Sequence, residues 1–194
     1  MIQKWKRLGE GEVLAKGYGK ELRSVPFLNP ETGREEEFIL YGQPDWVVIL
    51  PLTNDGMVVT IRQYYQGADK IVHTLPGGNL KPNENPEETV IRELSEETGY
   101  QSQEIILLGC PLWPSTRNST ARYFAFLGIG SKKMEEIKKD TEENVEVKLI
   151  PLEKWVKMAE KEIEDHCAVV ATFRALSYLR TKKLHRYSKK SNIT

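Results

Sequence analysis

Short apolar runs separated by turn residues mark the chain as strand-rich from its first third to Gly128. Residues 21–28 and 35–41 read as strands joined by the turn signal Asn29-Pro30-Glu31-Thr32-Gly33, a hairpin that can lie outside the main fold. Residues 46–52 and 57–65 carry stronger strand patterns, and Asn54-Asp55-Gly56 between them is hairpin-turn chemistry. A short strand over 71–75 leads into Pro76-Gly77-Gly78, and 103–110, 122–128 and 145–150 read as further strands. Residues 131–144 form a charge-dense loop with room for a helical turn at 134–138. An amphipathic helix opens at Pro151 or Leu152 and runs to about 161, and a second covers 168–179. From Lys182 onward five basic residues and no acids predict a solvated, frayed tail.

The pattern changes character between Gly78 and Tyr100. Asn85 is a good N-cap, Pro86 suits the first helical position, and Glu88 stands where a capping-box partner belongs. Gly99 supplies the left-handed residue that closes a helix, so the signals predict a helix over 86–98. At about 100° per residue, Val90, Ile91, Leu94 and Thr98 fall on a side that can pack into a core. Glu93, Glu96 and Glu97 fall on the adjoining side, at spacings that bring them together. Arg92, four residues before Glu96, offsets part of that charge. Hard divalent cations prefer such carboxylates, but a solvated acidic face fits the helix alone about as well.

Spacing narrows the choice. Five residues separate Gly78 from Glu84, and seven more precede Arg92-Glu93-Leu94-Ser95-Glu96-Glu97-Thr98-Gly99-Tyr100. This resembles the Nudix box: glycine, five residues, glutamate, seven residues, then Arg-Glu-aliphatic-x-Glu-Glu-x-Gly-aliphatic. Only Tyr100 departs, at the closing aliphatic position. The resemblance implies an α/β/α sandwich with a mixed sheet, to which the first strands add an N-terminal β-rich extension. It also implies divalent-metal hydrolysis of a nucleoside diphosphate linked to another moiety. Mg²⁺ is the expected metal, with Mn²⁺ as substitute. Glu93, Glu96 and Glu97 are then the expected metal ligands, joined by the Gly77 carbonyl. Arg92 is expected to orient a carboxylate, and Glu84 to support the loop or reach an outer metal. An acidic loop just before the strand at Val145 resembles the one carrying the general base in Nudix ADP-ribose pyrophosphatases. Register favours Glu143, with Glu142 as alternative; a plain solvated charge run is the competing reading.

Features outside the box resemble the ADP-ribose or nucleotide-sugar branch: Ile61-Arg62-Gln63-Tyr64, Leu75-Pro76-Gly77-Gly78, and Pro114-Ser115 after the box. Arg62 is a candidate substrate contact on that basis. That branch usually has an arginine at Tyr65, a glutamate at Thr74, an alanine at Gly77 and Pro-Gly at Thr116-Arg117. Arg117 or Arg122 can supply the missing phosphate-binding charge. Trp113 or Tyr64 can stack on a base, although aromatics of this kind more often fill a core. The branch also implies a homodimer built by the N-terminal strands, with an apolar side including Val25, Phe27, Phe38 and Leu40. The expected organisation is an extension over 1–42, a hydrolase domain over 43–181 and a tail over 182–194.

Composition agrees with an ordinary soluble enzyme. The 194 residues suffice for one domain with a sizeable core, and 28 basic residues cancel 28 acidic ones. No global field pulls the chain toward a membrane or a chain of nucleic-acid phosphates, which disfavours RNA ends as substrate. Cys110 and Cys167 make neither a disulfide framework nor a zinc pattern, and His73, His166 and His185 match no triad or metal spacing. No apolar stretch suits a signal peptide or a membrane span, so a cytoplasmic location is expected. ADP-ribose, cleaved to AMP and ribose 5-phosphate, is the favoured substrate. The alternatives are another nucleotide-sugar or a dinucleotide, or a non-catalytic nucleotide-sensing module, which the intact box argues against.

Overall fold

The computed structural model describes residues 1–134 and 144–188, with side chains described through Lys182. Two compact units divide the chain: Met1–Asp45 with Pro111–Tyr123, and Trp46–Cys110 with Phe124–Thr194.

The first unit is built on an antiparallel sheet. Its strands are β1 (Lys6–Arg7), β2 (Glu12–Gly17), β3 (Lys20–Leu28) and β4 (Glu35–Gly42). β3 is central, pairing with β4 along one edge and with β1 and β2 along the other. The expected hairpin is therefore present, in register from Glu21↔Gly42 to Leu28↔Glu35. Pro26 sits in the middle of β3, where a missing N–H would ordinarily break a ladder. It is tolerated because it falls in the gap between the stretch paired with β1 and the stretch paired with β2. Phe38 receives edge-on contacts from both Trp5 and Phe27, and Pro111–Tyr123 joins the unit through backbone bonds between Tyr41 and Asn118 and Thr120.

The second unit carries a mixed sheet in the order β10-β11-β5-β6-β12, with β7 on β6, β8 on β5 and β9 on β11. In chain order these are β5 (Trp46–Thr53), β6 (Met57–Tyr65), β7 (Lys70–Thr74), β8 (Gly77–Asn79), β9 (Tyr100–Gln101), β10 (Glu104–Leu107), β11 (Tyr123–Lys133) and β12 (Glu146–Pro151). Among the described residues three helices accompany it: α1 (Pro86–Thr98), α2 (Leu152–Lys161) and α3 (His166–Ser188). Val47 and Ile49 of β5 pack with Val59, Val90, Leu94, Tyr100 and Phe126 under α1. The intervening Val48 and Leu50 are equally buried, and α3 packs on β5 as well. Both faces of β5 are thus covered, which is why its sequence is an unbroken apolar run rather than an alternating one. Ala168, Ala171 and Ala175 give α3 a small buried stripe, and the indole of Trp155 in α2 donates to Thr172 of α3. The result is the α/β class with helices on both sides of a mixed sheet. Among the described residues no helix is long and apolar enough to cross a membrane.

Several boundaries differ from expectation. The strand expected to end at Gly128 continues to Lys133, because Lys132 and Lys133 pair with Gln101 and Tyr100; Ser131–Lys133 are strand, not loop. α3 starts at His166 because Asp165 accepts the Cys167 N–H, and it extends to Ser188, past the expected end. Ile91, expected in the core, is half exposed, since the buried stripe of α1 is centred on Val90 and Leu94. Val25, expected to face a second subunit, has no exposed surface within a single chain. Glu142, Glu143 and most of the expected helical turn lie outside the described residues.

Candidate functional site

α1 is fixed at both ends by local chemistry. The Asn85 side chain accepts from the N–H groups of Glu87 and Glu88, and the Glu88 carboxylate accepts the Asn85 N–H at 3.1 Å. At the other end Gly99 adopts φ 71° and donates to the Ser95 carbonyl at 2.9 Å. These caps hold the rotational phase of the helix, and with it the direction of three glutamates.

Arg92 organises the acidic face. Its Nε and Nη2 donate to the two oxygens of Glu84 at 2.8 and 2.9 Å, a two-bond fork. Its Nη1 donates to Glu93 at 2.8 Å and to Glu96 at 2.9 Å, and Nη2 reaches the Asn79 carbonyl. Glu84 also accepts the Lys81 N–H, so it ties the loop before α1 to the helix. The Arg92 hydrogen bonds hold the Glu84 carboxyl down at about 2, and Glu84 first, then Glu96 and Glu93, raises the Arg92 guanidinium above its ordinary range. The three partners differ in exposure: the Glu93 and Glu84 side chains keep 13% and 15% of their surface, and Glu96 keeps 56%. Glu96 is the open one.

Glu97 is buried, and one of its oxygens accepts the Gly77 N–H at 2.9 Å. Gly77 and Gly78 belong to β8, which pairs with Val48 and Val47 of β5. A Cβ on Gly78 would stand 2.3 Å from the Glu93 carboxyl carbon. β8 therefore passes directly over Glu93 and Glu97, and glycine is what permits the approach. Gly77 was expected to contribute its carbonyl; the contact seen at Gly77 is its N–H on Glu97. Carboxylates of Glu93, Glu96 and Glu97 from one helix face, with Glu84 from the loop before it, are the oxygen donors a hard divalent cation takes. The residues fit the metal implied by the box.

The remaining sequence candidates lie elsewhere. Arg62 is exposed on β6 and pairs with Glu146 of β12 at 3.0 Å, not with the carboxylates of α1. Trp113 and Arg117 belong to the first unit, where they line a cavity of about 840 Å³ with Trp5, Arg7, Phe27 and Phe38. The Arg122 guanidinium lies over the Trp113 ring at 5.9 Å while also bonding Asp45. Neither Trp113 nor Tyr64 is a core residue; each keeps nearly half its surface. His73 is structural, bonded to Thr60 and edge-on to Trp155, with burial lowering its pKa. Sequence reasoning did not foresee that Gly78 bounds the space of the Glu93 carboxylate. It also did not foresee that Asp165, His166 and Cys167 converge at the start of α3.

The NUDIX domain matches this chain over residues 43–172. The ADP-ribose pyrophosphatase of Bacillus subtilis (strain 168) is 28% identical over 153 residues, covering 78% of this chain and 80% of that protein. The methanol dehydrogenase activator of Bacillus methanolicus is similar to the same degree, 28% over 153 residues with the same coverage. Among solved structures, one described as a crystal structure of ADP compounds hydrolase superposes with a TM-score of 0.80 over 94% of this chain and 97% of that one. At 20% identity that likeness speaks for the fold alone.

Proposed function

The chain belongs to the Nudix family as a pyrophosphohydrolase, and from that premise we propose that it cleaves the diphosphate of a nucleoside diphosphate-linked compound, with ADP-ribose going to AMP and ribose 5-phosphate. The observation that carries this reading is the acidic face of α1, organised by Arg92 and closed over by β8. The likeness to an ADP-ribose pyrophosphatase over most of both chains supports the substrate class.

Glu93, Glu96 and Glu97, with the Gly77 carbonyl, would hold Mg²⁺, or Mn²⁺ in its place. A divalent cation held there would supply positive charge against the diphosphate oxygens and Lewis acidity toward the attacking water. Arg92 holds Glu93 and Glu96 in place through its Nη1, while Glu84 anchors Arg92 from the loop side. Glu97 is oriented by the Gly77 N–H. Glu143 is assigned as general base from its place in the acidic loop before β12. In the first unit, Trp113 offers a flat apolar face for a base, and Arg117 and Arg7 offer cations for phosphate or ribose oxygens. Arg62, tied to Glu146, would need to exchange that partner to touch substrate. A cytoplasmic homodimer belongs to the same reading.

Tyr65 and Thr74, which replace the charged pair of the ADP-ribose branch, favour a second reading within the class: another nucleotide-sugar or a dinucleotide. Incubating the full chain and Mg²⁺ with ADP-ribose, other nucleotide-sugars, dinucleotides and triphosphates, and resolving products by phosphorus NMR, separates the two. ADP-ribose is expected to give the highest kcat/KM. A dinucleotide preferred by tenfold or more would replace it, and no turnover of any diphosphate would leave a sensing module.

A further inference from the structure

At the start of α3 three consecutive side chains, Asp165, His166 and Cys167, bring a carboxylate oxygen, an imidazole nitrogen and a sulfur to within 4.8 Å of one another. The Cys167 sulfur is buried and lies 3.4 Å from His166 Nε2. One Asp165 oxygen accepts the Cys167 N–H at 2.9 Å, and the other accepts the hydroxyl of Thr74 on β7. Helix capping accounts for Asp165. It does not account for an imidazole and a thiol converging on the same point.

We propose that Asp165, His166 and Cys167 bind a divalent transition metal of the zinc class, at a site distinct from the carboxylates of α1. The donor set selects the ion: sulfur and imidazole nitrogen suit Zn²⁺ and repel the choice of Mg²⁺, which takes oxygen. The sulfur–nitrogen separation of 3.4 Å agrees. Zinc–sulfur and zinc–nitrogen bonds of about 2.3 and 2.0 Å at a tetrahedral angle put the two ligand atoms about 3.5 Å apart. The Thr74 hydroxyl and Cys167 N–H hold the carboxylate in place, the kind of outer contact that orients a metal ligand. The positive end of the helix dipole opposes a cation here, and two anionic donors, carboxylate and thiolate, offset it. Binding exchanges the thiol proton for the metal: the S–H bond breaks, the proton leaves to solvent, and the sulfur lone pair forms the metal bond.

Three protein ligands leave a fourth position, and the site has room for one. All three residues line a cavity of about 700 Å³, shared with Tyr65, Lys70 and Gly77. Water or an anionic group can occupy that position from the cavity. Gly77 is also the residue whose N–H holds Glu97, so the two cation sites would border the same strand, β8.

The test is a Co²⁺ titration of the reduced, metal-stripped full chain in excess Mg²⁺, read by absorption rather than by turnover. One equivalent of Co²⁺ should produce a thiolate-to-cobalt charge-transfer band and the strong visible bands of a four-coordinate ion, both removed by one equivalent of Zn²⁺. Cys110→Ser and Glu97→Gln should leave the spectrum unchanged. Cys167→Ser should abolish the charge-transfer band. Because Cys167 is buried, His166→Ala at the surface provides a second variant, expected to weaken Co²⁺ binding at least about tenfold. Absence of the charge-transfer band, its survival in Cys167→Ser, its loss in Glu97→Gln, or unchanged affinity in His166→Ala would each overturn the site.

Discussion

Glu97 is the buried carboxylate of α1. One of its oxygens accepts the Gly77 N–H, and a glutamine in its place would keep an oxygen for that bond. Glu97→Gln should therefore fold normally while losing the charge proposed to hold the metal. A fall in kcat of at least ~10²-fold is expected, typical of removing a key electrostatic group, with an unchanged circular dichroism spectrum. Near-normal turnover at saturating Mg²⁺ would remove Glu97 from the metal. Glu84 gives a different signature. Its carboxyl is held at about 2, by the Arg92 hydrogen bonds first, below the unfolded value of about 4.3. A depressed folded pKa means its contribution is complete above the unfolded value and fades as pH falls toward about 2. Acid titration of stability should accordingly show a flatter limb between those values in Glu84→Gln than in the parent chain.

At the scale of elements, β8 and α1 form the working unit, and the two glycines of β8 should fail in opposite ways. A Cβ on Gly77 would meet the backbone carbonyl of Val47 at 2.2 Å, so Gly77→Ala must push β8 off β5. The three atoms nearest a Cβ on Gly78 all belong to the Glu93 carboxylate, a side-chain end rather than backbone. Gly78→Ala should therefore keep its melting temperature and lose activity, up to about 10²-fold for a carboxylate displaced by an ångström. Gly77→Ala should melt earlier by several degrees. Equal melting curves for both variants would contradict this division. The same elements show what can be read from sequence. α1 was legible to the residue because Asn85, Pro86, Glu88 and Gly99 write its ends in local chemistry. β8 was not, since Gly-Gly-Asn carries no side-chain pattern and exists only through its pairing with β5. β2 escaped for a related reason: all its residues are exposed, so burial imposes no alternation on them. In the site, the carboxylates were legible from spacing, whereas the Glu84–Arg92 fork and the Gly78–Glu93 contact depend on how the loop returns across the helix.

For the whole molecule the open question is assembly, and the first unit bears on it directly. Its sheet ends in β1 and β2 on one side of β3 and in β4 on the other, where only the Tyr41 end is bonded to residues 118–120, and exposed strand edges are surfaces that proteins cover or protect. Val13 and Leu14 on β2 and Ile39 on β4 are each more than two-fifths exposed, apolar side chains that a second copy can bury. Val25 is already enclosed within one chain, while Phe27, Phe38 and Leu40 line the unit's own cavity. Of the residues expected at the interface only Val25 is removed from it, and the edges add further apolar surface. A two-fold homodimer is expected, the commonest closed symmetry. Shortening the chain to begin at Gly42 is a poor test, because Pro111–Tyr123 packs in the same unit and would be left without its sheet. The double variant Leu14→Glu with Ile39→Glu is better, since both side chains are exposed in a single chain and the fold should survive. Light scattering should give twice the chain mass for the parent and a shift toward one chain for the variant. If the partner's first unit completes the base pocket, KM for ADP-ribose should rise in the variant with kcat nearly kept. A parent chain that is monomeric at micromolar concentration would end the dimer proposal, and an unchanged KM in a monomeric variant would end the shared pocket alone.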